Sequence, residues 1–271
     1  MKLKGKVALI TGSGSGIGLE IAVAMAREGA AIIINDVREA NINAAVERVR
    51  EFDIPYLRVR CDVSSSQAVK DMFRSIMNKF NTLDILVNNA GITINDEKVN
   101  ENYKKLAEQL LTTGKANVSL GATRNLTDVA WDKMLKVHLY GTFYCTREAL
   151  NIMEDKGYGK IINIASVCGI AGGVGAPAYS AAKGGIIAFT KAVAAEVIRV
   201  GVYVNAIAPG YIDTPFLNTM SPESMASVLI ATPLGRLGKA SEIAPLAIFL
   251  ASEESSYIVG QVISPNGGMV L

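Results

Sequence analysis

The sequence predicts an α/β chain: a doubly wound parallel sheet of about seven strands flanked by helices. Three observations predict it. Short β-branched runs alternate with longer helix-patterned segments along all 271 residues. The strand runs are almost continuously apolar, as strands covered on both faces must be. A glycine-rich turn joins the first run to the first helix, where sheets of this kind bind ligands. Half the residues are hydrophobic and 19% are charged, which is apolar material for one large core. No linker or compositional break divides the chain, so 1–271 reads as a single domain.

The elements follow in order. KVALIT (6–11) is a buried strand and GIGLEIAVAMAREGA (16–30) the helix after it. AIIIND (31–36) is the second strand, followed by a helix over 39–52, the strand YLRVRCDV (56–63) and a helix over 65–80. LDILVNNAG (83–91) is the fourth strand. Later come GKIINIAS (159–166), a helix over 177–199, VYVNAIAP (202–209), a helix over 241–252 and a last strand in GQVISP. One stretch breaks the alternation: 96–125 has no strand character. Tyr103, Leu106, Leu110 and Leu111 fall there at helical spacing, which predicts a short amphipathic helix in a surface excursion, an oligomer contact or a substrate-shaping element.

Composition excludes several classes. With 27 basic and 25 acidic residues, the net charge of +2 leaves no nucleic-acid footprint. Three scattered cysteines (Cys61, Cys145, Cys168) argue for a reducing compartment, and with a single histidine they cannot make the usual zinc sets, so no metal site is expected. A serine hydrolase would have to use His138, and there is no G-x-S-x-G elbow. No apolar run approaches the ~20 residues of a membrane span, so a cytoplasmic protein is expected.

The turn ITGSGSGIGLE (10–20) follows a strand and opens a helix, the context a dinucleotide loop requires. Gly12, Gly16 and Gly18 let the backbone approach a pyrophosphate, and Ser15, Gly16 and Ile17 present the helix N-terminus to it. Asp36 ends the second strand, where a carboxylate accepts hydrogen bonds from the adenosine ribose and repels a 2′-phosphate; the same residue could instead serve a turn or cap a helix. The cofactor expected is therefore NAD, with Arg38 nearby as the one opposing charge.

Ser166 ends the strand IINIAS, and Tyr179 and Lys183, four residues apart, share one face of the next helix. A free phenol titrates near pH ~10, too high for proton transfer at neutrality. A neighbouring ammonium favours the phenolate and would lower that value. Tyr179 would then exchange a proton with a carbonyl or carbinol oxygen, and Ser166 would hydrogen-bond the same oxygen.

TGSGSGIG (11–18), CDV (61–63), NNAG (88–91), Ser166 with YSAAK (179–183), PGYIDT (209–214) and NGG (266–268) together resemble the short-chain dehydrogenase/reductase family over nearly the whole chain, in its 3-oxoacyl reductase-like and hydroxysteroid-dehydrogenase-like branch. The resemblance implies a Rossmann fold, Tyr179 as acid/base, Ser166 positioning the substrate oxygen and Lys183 also holding the nicotinamide ribose. It places Asp62 and Val63 beside the adenine, and Asn88, Asn89, Ala90 and Gly91 around the cofactor. It assigns Pro209, Gly210, Ile212 and Thr214 to the carboxamide. Where the family has an asparagine in V-N-L-x-G, this chain has VHLYG (137–141), so His138 stands either as a structural substitute at a helix kink or in a proton relay. Segment 96–125 is an insertion relative to the family pattern. A homotetramer is implied, with 127–155 and 177–199 pairing across its interfaces.

The substrate pocket is expected along 167–177 and a lid over 211–235, which carries Phe216, Leu217, Met220, Met225, Val228 and Leu229 and no arginine or lysine. That favours a hydrophobic secondary alcohol or ketone. The alternative is an acyl thioester, as for a 3-oxoacyl reductase or a 3-hydroxyacyl-CoA dehydrogenase. Such reductases often show AREV where this chain has AAEV (194–197). A non-catalytic NAD-binding subunit is the third reading, and the intact Ser166, Tyr179 and Lys183 argue against it.

Overall fold

The structure, a computed structural model, describes residues 1–271 apart from Asn95 and Thr219. Apolar β-branched runs form the strands β1 (Val7–Ile10), β2 (Ala31–Asp36), β3 (Tyr56–Arg60), β4 (Ile85–Asn88), β5 (Gly159–Ile164) and β6 (Val202–Ile207). Two short strands, β7 (Ile212–Asp213) and β8 (Gly238–Lys239), pair apart from the rest, and β9 (Val262–Ile263) completes the main sheet. The order is β3-β2-β1-β4-β5-β6-β9 and every pairing is parallel. The chain reverses its direction of travel across the sheet between β1 and β4, the topological switch point of a doubly wound sheet.

Alternate residues of β1 serve opposite faces, which is why the strand is apolar throughout. Ala8 and Ile10 join a core with α1 (Gly16–Arg27), α2 (Glu39–Arg50) and α11 (Ala240–Ala251). Val7 and Leu9 face the other way, onto α3 (Ser66–Phe80), α7 (Gly141–Lys156) and α9 (Pro177–Val197). Burying each such side chain contributes about 1.5–3 kcal/mol.

The predicted strands lie where expected; β2 matches its predicted span and the others are shorter at one or both ends. Segment 96–125 differs in extent. It forms a long helix, α4 (Glu97–Thr113), capped by Asp96 through Lys98 N–H and Val99 N–H, and a short one, α5 (Ala122–Asn125). Leu110 and Leu111 are exposed; the packed face is Val99, Tyr103 and Leu106. The segment 127–155 is two helices, α6 (Asp128–Leu135) and α7, joined by one π turn at Lys136–Tyr140. Two further helices are α8 (Val167–Ala171) and α10 (Pro222–Ala231); Thr219, within the expected lid 211–235, lies outside the described residues.

A buried polar chain fixes α7 and α9 to the middle of the sheet. Asn88 Nδ2 donates to Thr146 Oγ1 (3.0 Å) and Asn163 Oδ1 (2.9 Å), and Asn163 Nδ2 donates to Thr190 Oγ1 (2.9 Å). Asn163 is fully buried, so losing it strands two polar partners in the core. Asn163→Val is expected to lower stability by about 1–3 kcal/mol in urea titration while the far-ultraviolet spectrum stays the same. A neutral result would show that these bonds do not contribute to holding the layers.

Candidate active site

The site is assembled at the carboxyl ends of β1, β2, β4, β5 and β6. After β1 the chain turns through Thr11–Gly18, and Ser13 N–H donates to the Asn35 carbonyl (2.8 Å). Asn89, just past β4, reaches back: its Nδ2 donates to the carbonyls of Thr11 (2.9 Å) and Gly12 (3.1 Å). Thr11 Oγ1 accepts from the N–H groups of Asn89 and Ala90, both at 3.0 Å. Side chains cannot fit in this junction. A Cβ on Gly18 would lie 2.3 Å from Asn89 Nδ2, and one on Gly12 (φ +63°) would lie 2.8 Å from Ala90 Cα. Helix α1 starts at Gly16 with Ser15 extended at its N-cap and no side-chain cap bond, so its first N–H groups face the groove.

Asp36 is buried at the end of β2. Its Oδ1 accepts from Arg38 N–H (2.9 Å), and its Oδ2 sits against Gly14, where a Cβ would be 2.5 Å away. A glycine floor, an open helix N-terminus and a carboxylate at the far end fit a dinucleotide. Thr214 closes the near end, 3.4 Å from a Cβ built on Gly16, and its Oγ1 donates to Ile212 O (3.3 Å). Gly210 presses on Asn266, and the Pro209 carbonyl accepts from Val167 N–H (3.0 Å), so 209–214 is tied to both β5 and β9.

Three expected cofactor residues stand otherwise. The Asn88 side chain points into the buried polar chain, away from the groove; its neighbour Asn89 is the one at the loop. The Val63 side chain packs on Gly141 in the core, leaving only its backbone at the groove edge. Asp62 is exposed and its Oδ1 accepts from Ser64 N–H (2.9 Å).

Ser166 caps α8, with its Oγ accepting from Cys168 N–H (3.1 Å). Tyr179 and Lys183 lie on the first turns of α9, and Lys183 Nζ donates to the Ile164 carbonyl (2.6 Å), 5.6 Å from the Tyr179 ring centre. Serine, phenol and ammonium therefore meet at the end of β5, as the sequence spacing required. Their charges differ from the expectation. Burial pushes the Tyr179 phenol up, with Cys168 adding and a Ser166 hydrogen bond opposing, so it is a proton-bearing phenol. Burial also brings Lys183 down to about 7. Desolvation is the largest cause of both shifts.

His138 is buried within the π turn. Its Nε2 lies 2.9 Å from Ile92 O and 3.1 Å from Ile92 N, and one ring nitrogen can serve only one of them at a time. Its ring meets Tyr179 edge-to-face at 5.3 Å and fills the space beside Gly91, where a Cβ would be 2.5 Å from Cε1. Burial, then Lys183, holds it down at about 3, so it is uncharged at neutral pH while its ring packs on Tyr179 and bonds Ile92. Sequence reasoning missed two groups beside the trio. Cys168 and Tyr211 interact with each other and with Tyr179, and burial first, then Cys168, pushes Tyr211 up to about 12. The only sequence signal was position, two residues after Ser166 and directly after Gly210. Phe216 covers Tyr179, with ring centres 5.8 Å apart.

This architecture has many relatives. The family described as short chain dehydrogenase matches residues 6–224. The chain belongs to that family. It is 35% identical, over the full length of both proteins, to the 3-oxoacyl-(acyl-carrier-protein) reductase FabG of Thermotoga maritima. It is also 35% identical to the (2S)-[(R)-hydroxy(phenyl)methyl]succinyl-CoA dehydrogenase subunit BbsD of Thauera aromatica, over 100% of this chain and 99% of that one. A levodione reductase structure superposes with a TM-score of 0.85 at 32% identity, covering 98% of each chain. This short-chain dehydrogenase is thus an oxidoreductase acting on CH–OH donors with a nicotinamide cofactor, which takes or gives the hydride when bound. Among the described residues no side-chain group could hold a metal ion, and no helix is long and apolar enough to cross a membrane.

The depressed Lys183 has a thermodynamic signature. Its folded value of about 7 lies below the unfolded value of 10.5, so between those limits the unfolded chain binds more protons and stability rises with pH. Lys183→Met removes that dependence. The variant is expected to melt higher than the parent at pH 7, with the gap narrowing toward pH 10. A gap independent of pH would show that Lys183 is not desolvated.

Proposed function

We propose that this oxidoreductase is NAD-dependent and interconverts a secondary alcohol and a ketone, with Tyr179 as the acid/base. The observation that carries the reading is the convergence of Ser166, Tyr179 and Lys183 at the end of β5, beside the glycine turn. In reduction the Tyr179 hydroxyl donates its proton to the ketone oxygen. The raised phenol suits this direction, because the group is protonated at neutral pH. Ser166 Oγ hydrogen-bonds the same oxygen as negative charge builds on it. Lys183, held by Ile164 O, stabilises the phenolate left behind. In oxidation each proton runs the other way. Asp36 supports NAD over NADP, because a buried carboxylate facing Gly14 repels a 2′-phosphate.

The pocket walls we assign to 167–177, the lid 211–235 and the insertion 96–125, all parts of one domain spanning 1–271. Phe216 over Tyr179 supports an apolar ketone or alcohol. An acyl thioester is the second reading, favoured by the 35% identity to an acyl-carrier-protein reductase and to a CoA-ester dehydrogenase subunit. We place the enzyme in the cytoplasm as a homotetramer; exposed Trp131, Tyr140 and Phe143 on 127–155 support pairing of that face.

Initial rates with NAD across cyclic and aromatic secondary alcohols and 3-hydroxyacyl thioesters test the reading. Tyr179→Phe is expected to lower turnover at least ~100-fold with dinucleotide binding retained. Unchanged turnover would overturn the mechanism. NAD is expected to exceed NADP at least tenfold in kcat/KM, with Asp36→Ala bringing the two close to parity, since tenfold discrimination needs only ~1.4 kcal/mol of carboxylate–phosphate repulsion, even with Arg38 3.8 Å from Asp36 Oδ1. Equal use of NADP by the parent enzyme would overturn the NAD assignment.

A further inference from the structure

A solvent-open cleft of about 360 Å³ lies between 119–124 and the segment that links Ser166 to Tyr179, where Gly173, Gly175 and Pro177 form the opposite wall. One wall is the segment that leads into Tyr179. Pro177 is the first residue of α9, two positions before Tyr179. Gly175 is shared with Tyr103 of α4, whose Oη would be 3.1 Å from a Cβ there and donates to the Val174 carbonyl (2.9 Å). Tyr103 in turn is an electrostatic neighbour of Cys168, the thiol beside Ser166. The cleft therefore opens outward from the end of the Tyr103 side chain.

Its chemistry is one-sided. Arg124 is the only charged residue lining it, and no carboxylate lines it. Among the described residues no carboxylate pairs with Arg124. A second donor stands beside it: Asn125 Nδ2 is buried without a partner, 2.8 Å from where a Cβ on Gly121 would be. The wall that carries both is held by Asn102 of α4, whose Nδ2 donates to the Leu120 carbonyl (3.0 Å). An unpaired guanidinium in a carboxylate-free cleft, with an unsatisfied amide donor behind Gly121 of the same wall, is matched by an anionic oxygen group, which a guanidinium binds with two parallel hydrogen bonds.

We propose that this cleft binds the anionic end, a phosphate or a carboxylate, of an extended substrate whose carbinol carbon sits at Tyr179. The proposal rests on the alcohol–ketone reading above and names the substrate class: a hydroxy or oxo compound with a charged tail. The insertion supplies the cation that the lid 211–235 lacks. A phosphorylated thioester arm and a carboxylate carried on the substrate share this chemistry.

Three substrates separate the cases: a 3-oxoacyl-CoA, the same acyl group on N-acetylcysteamine, and a 3-oxo ester ending in a carboxylate. Arg124→Ala is expected to lower kcat/KM for the anionic substrate about tenfold relative to the uncharged thioester, mainly through KM, and Arg124→Lys to restore part of it. The anionic substrate that responds identifies the source of the charge. Equal effects on charged and uncharged substrates would overturn the proposal while leaving the Tyr179 mechanism intact. If no ester turns over, the alcohol–ketone reading is what fails for esters. The cleft is then read by NMR titration with pantetheine 4′-phosphate and with glutarate. Shifts at 119–125 that disappear in Arg124→Ala support the site; shifts with neither probe overturn it.

Discussion

Everything at this site depends on how closely the turn after β1 approaches the end of β4. The Asn89 amide bonds both Thr11 and Gly12, while Thr11 Oγ1 receives the N–H groups of Asn89 and Ala90. Four hydrogen bonds in so small a space leave no room for a Cβ at Gly12 or Gly18. The glycines are therefore demanded twice, by the cofactor groove on one side and by the Asn89 junction on the other. Because β1 and β4 are neighbours at the switch point, this junction also sets where β5 delivers Ser166 and where α9 begins. A shift of one strand relative to its neighbour would move the groove and the proton donor apart.

Desolvation and charge pairing compete at the catalytic trio, and desolvation wins. Lys183 is almost fully buried, its ammonium answered by one carbonyl, and it drops to about 7; Tyr179 moves the opposite way. Both shifts favour the uncharged forms. The protein thus holds a neutral phenol beside a lysine balanced near neutrality, and a positive ring placed near them would move Tyr179 back toward phenolate and Lys183 further toward the neutral amine. His138 obeys the same rule: burial holds it at about 3, so it stays an uncharged imidazole with a single ring N–H near neutral pH. Its π turn and its wedge beside Gly91 show the structural service that a ring of this size performs there.

The sheet was legible because its strands are apolar on both faces, and the glycine turn and Tyr179–Lys183 spacing were legible because each depends on local chain geometry. What was not legible depends on contacts between distant segments. Nothing in the run NNAG says that the first asparagine turns into a core network with Thr146 and Asn163 and the second clamps the glycine turn. The helical spacing of Leu110 and Leu111 pointed to a buried face, yet α4 is long enough to carry its last turns past the body of the protein, and both leucines face solvent. Charge states were misjudged for a related reason. A lysine four residues from a tyrosine predicts attraction, whereas the burial that outweighs it comes from the surrounding fold.

Specificity falls in the part of the chain where local pattern was weakest. Helix α4 packs against α10, with Lys104 acting on Glu223, and it reaches the segment before Tyr179 through the Tyr103–Val174 bond. Segments 96–125 and 211–235 therefore meet, although residues 126–210 separate them in sequence. Packing joins α4 to α10, while Thr214, at the start of 211–235, borders the glycine turn at Gly16. The glycine turn and Ser166 sit at strand ends of the sheet itself, while α4 and α10 are attached outside it. Such an arrangement lets relatives of similar fold carry names as different as an acyl-carrier-protein reductase and a levodione reductase.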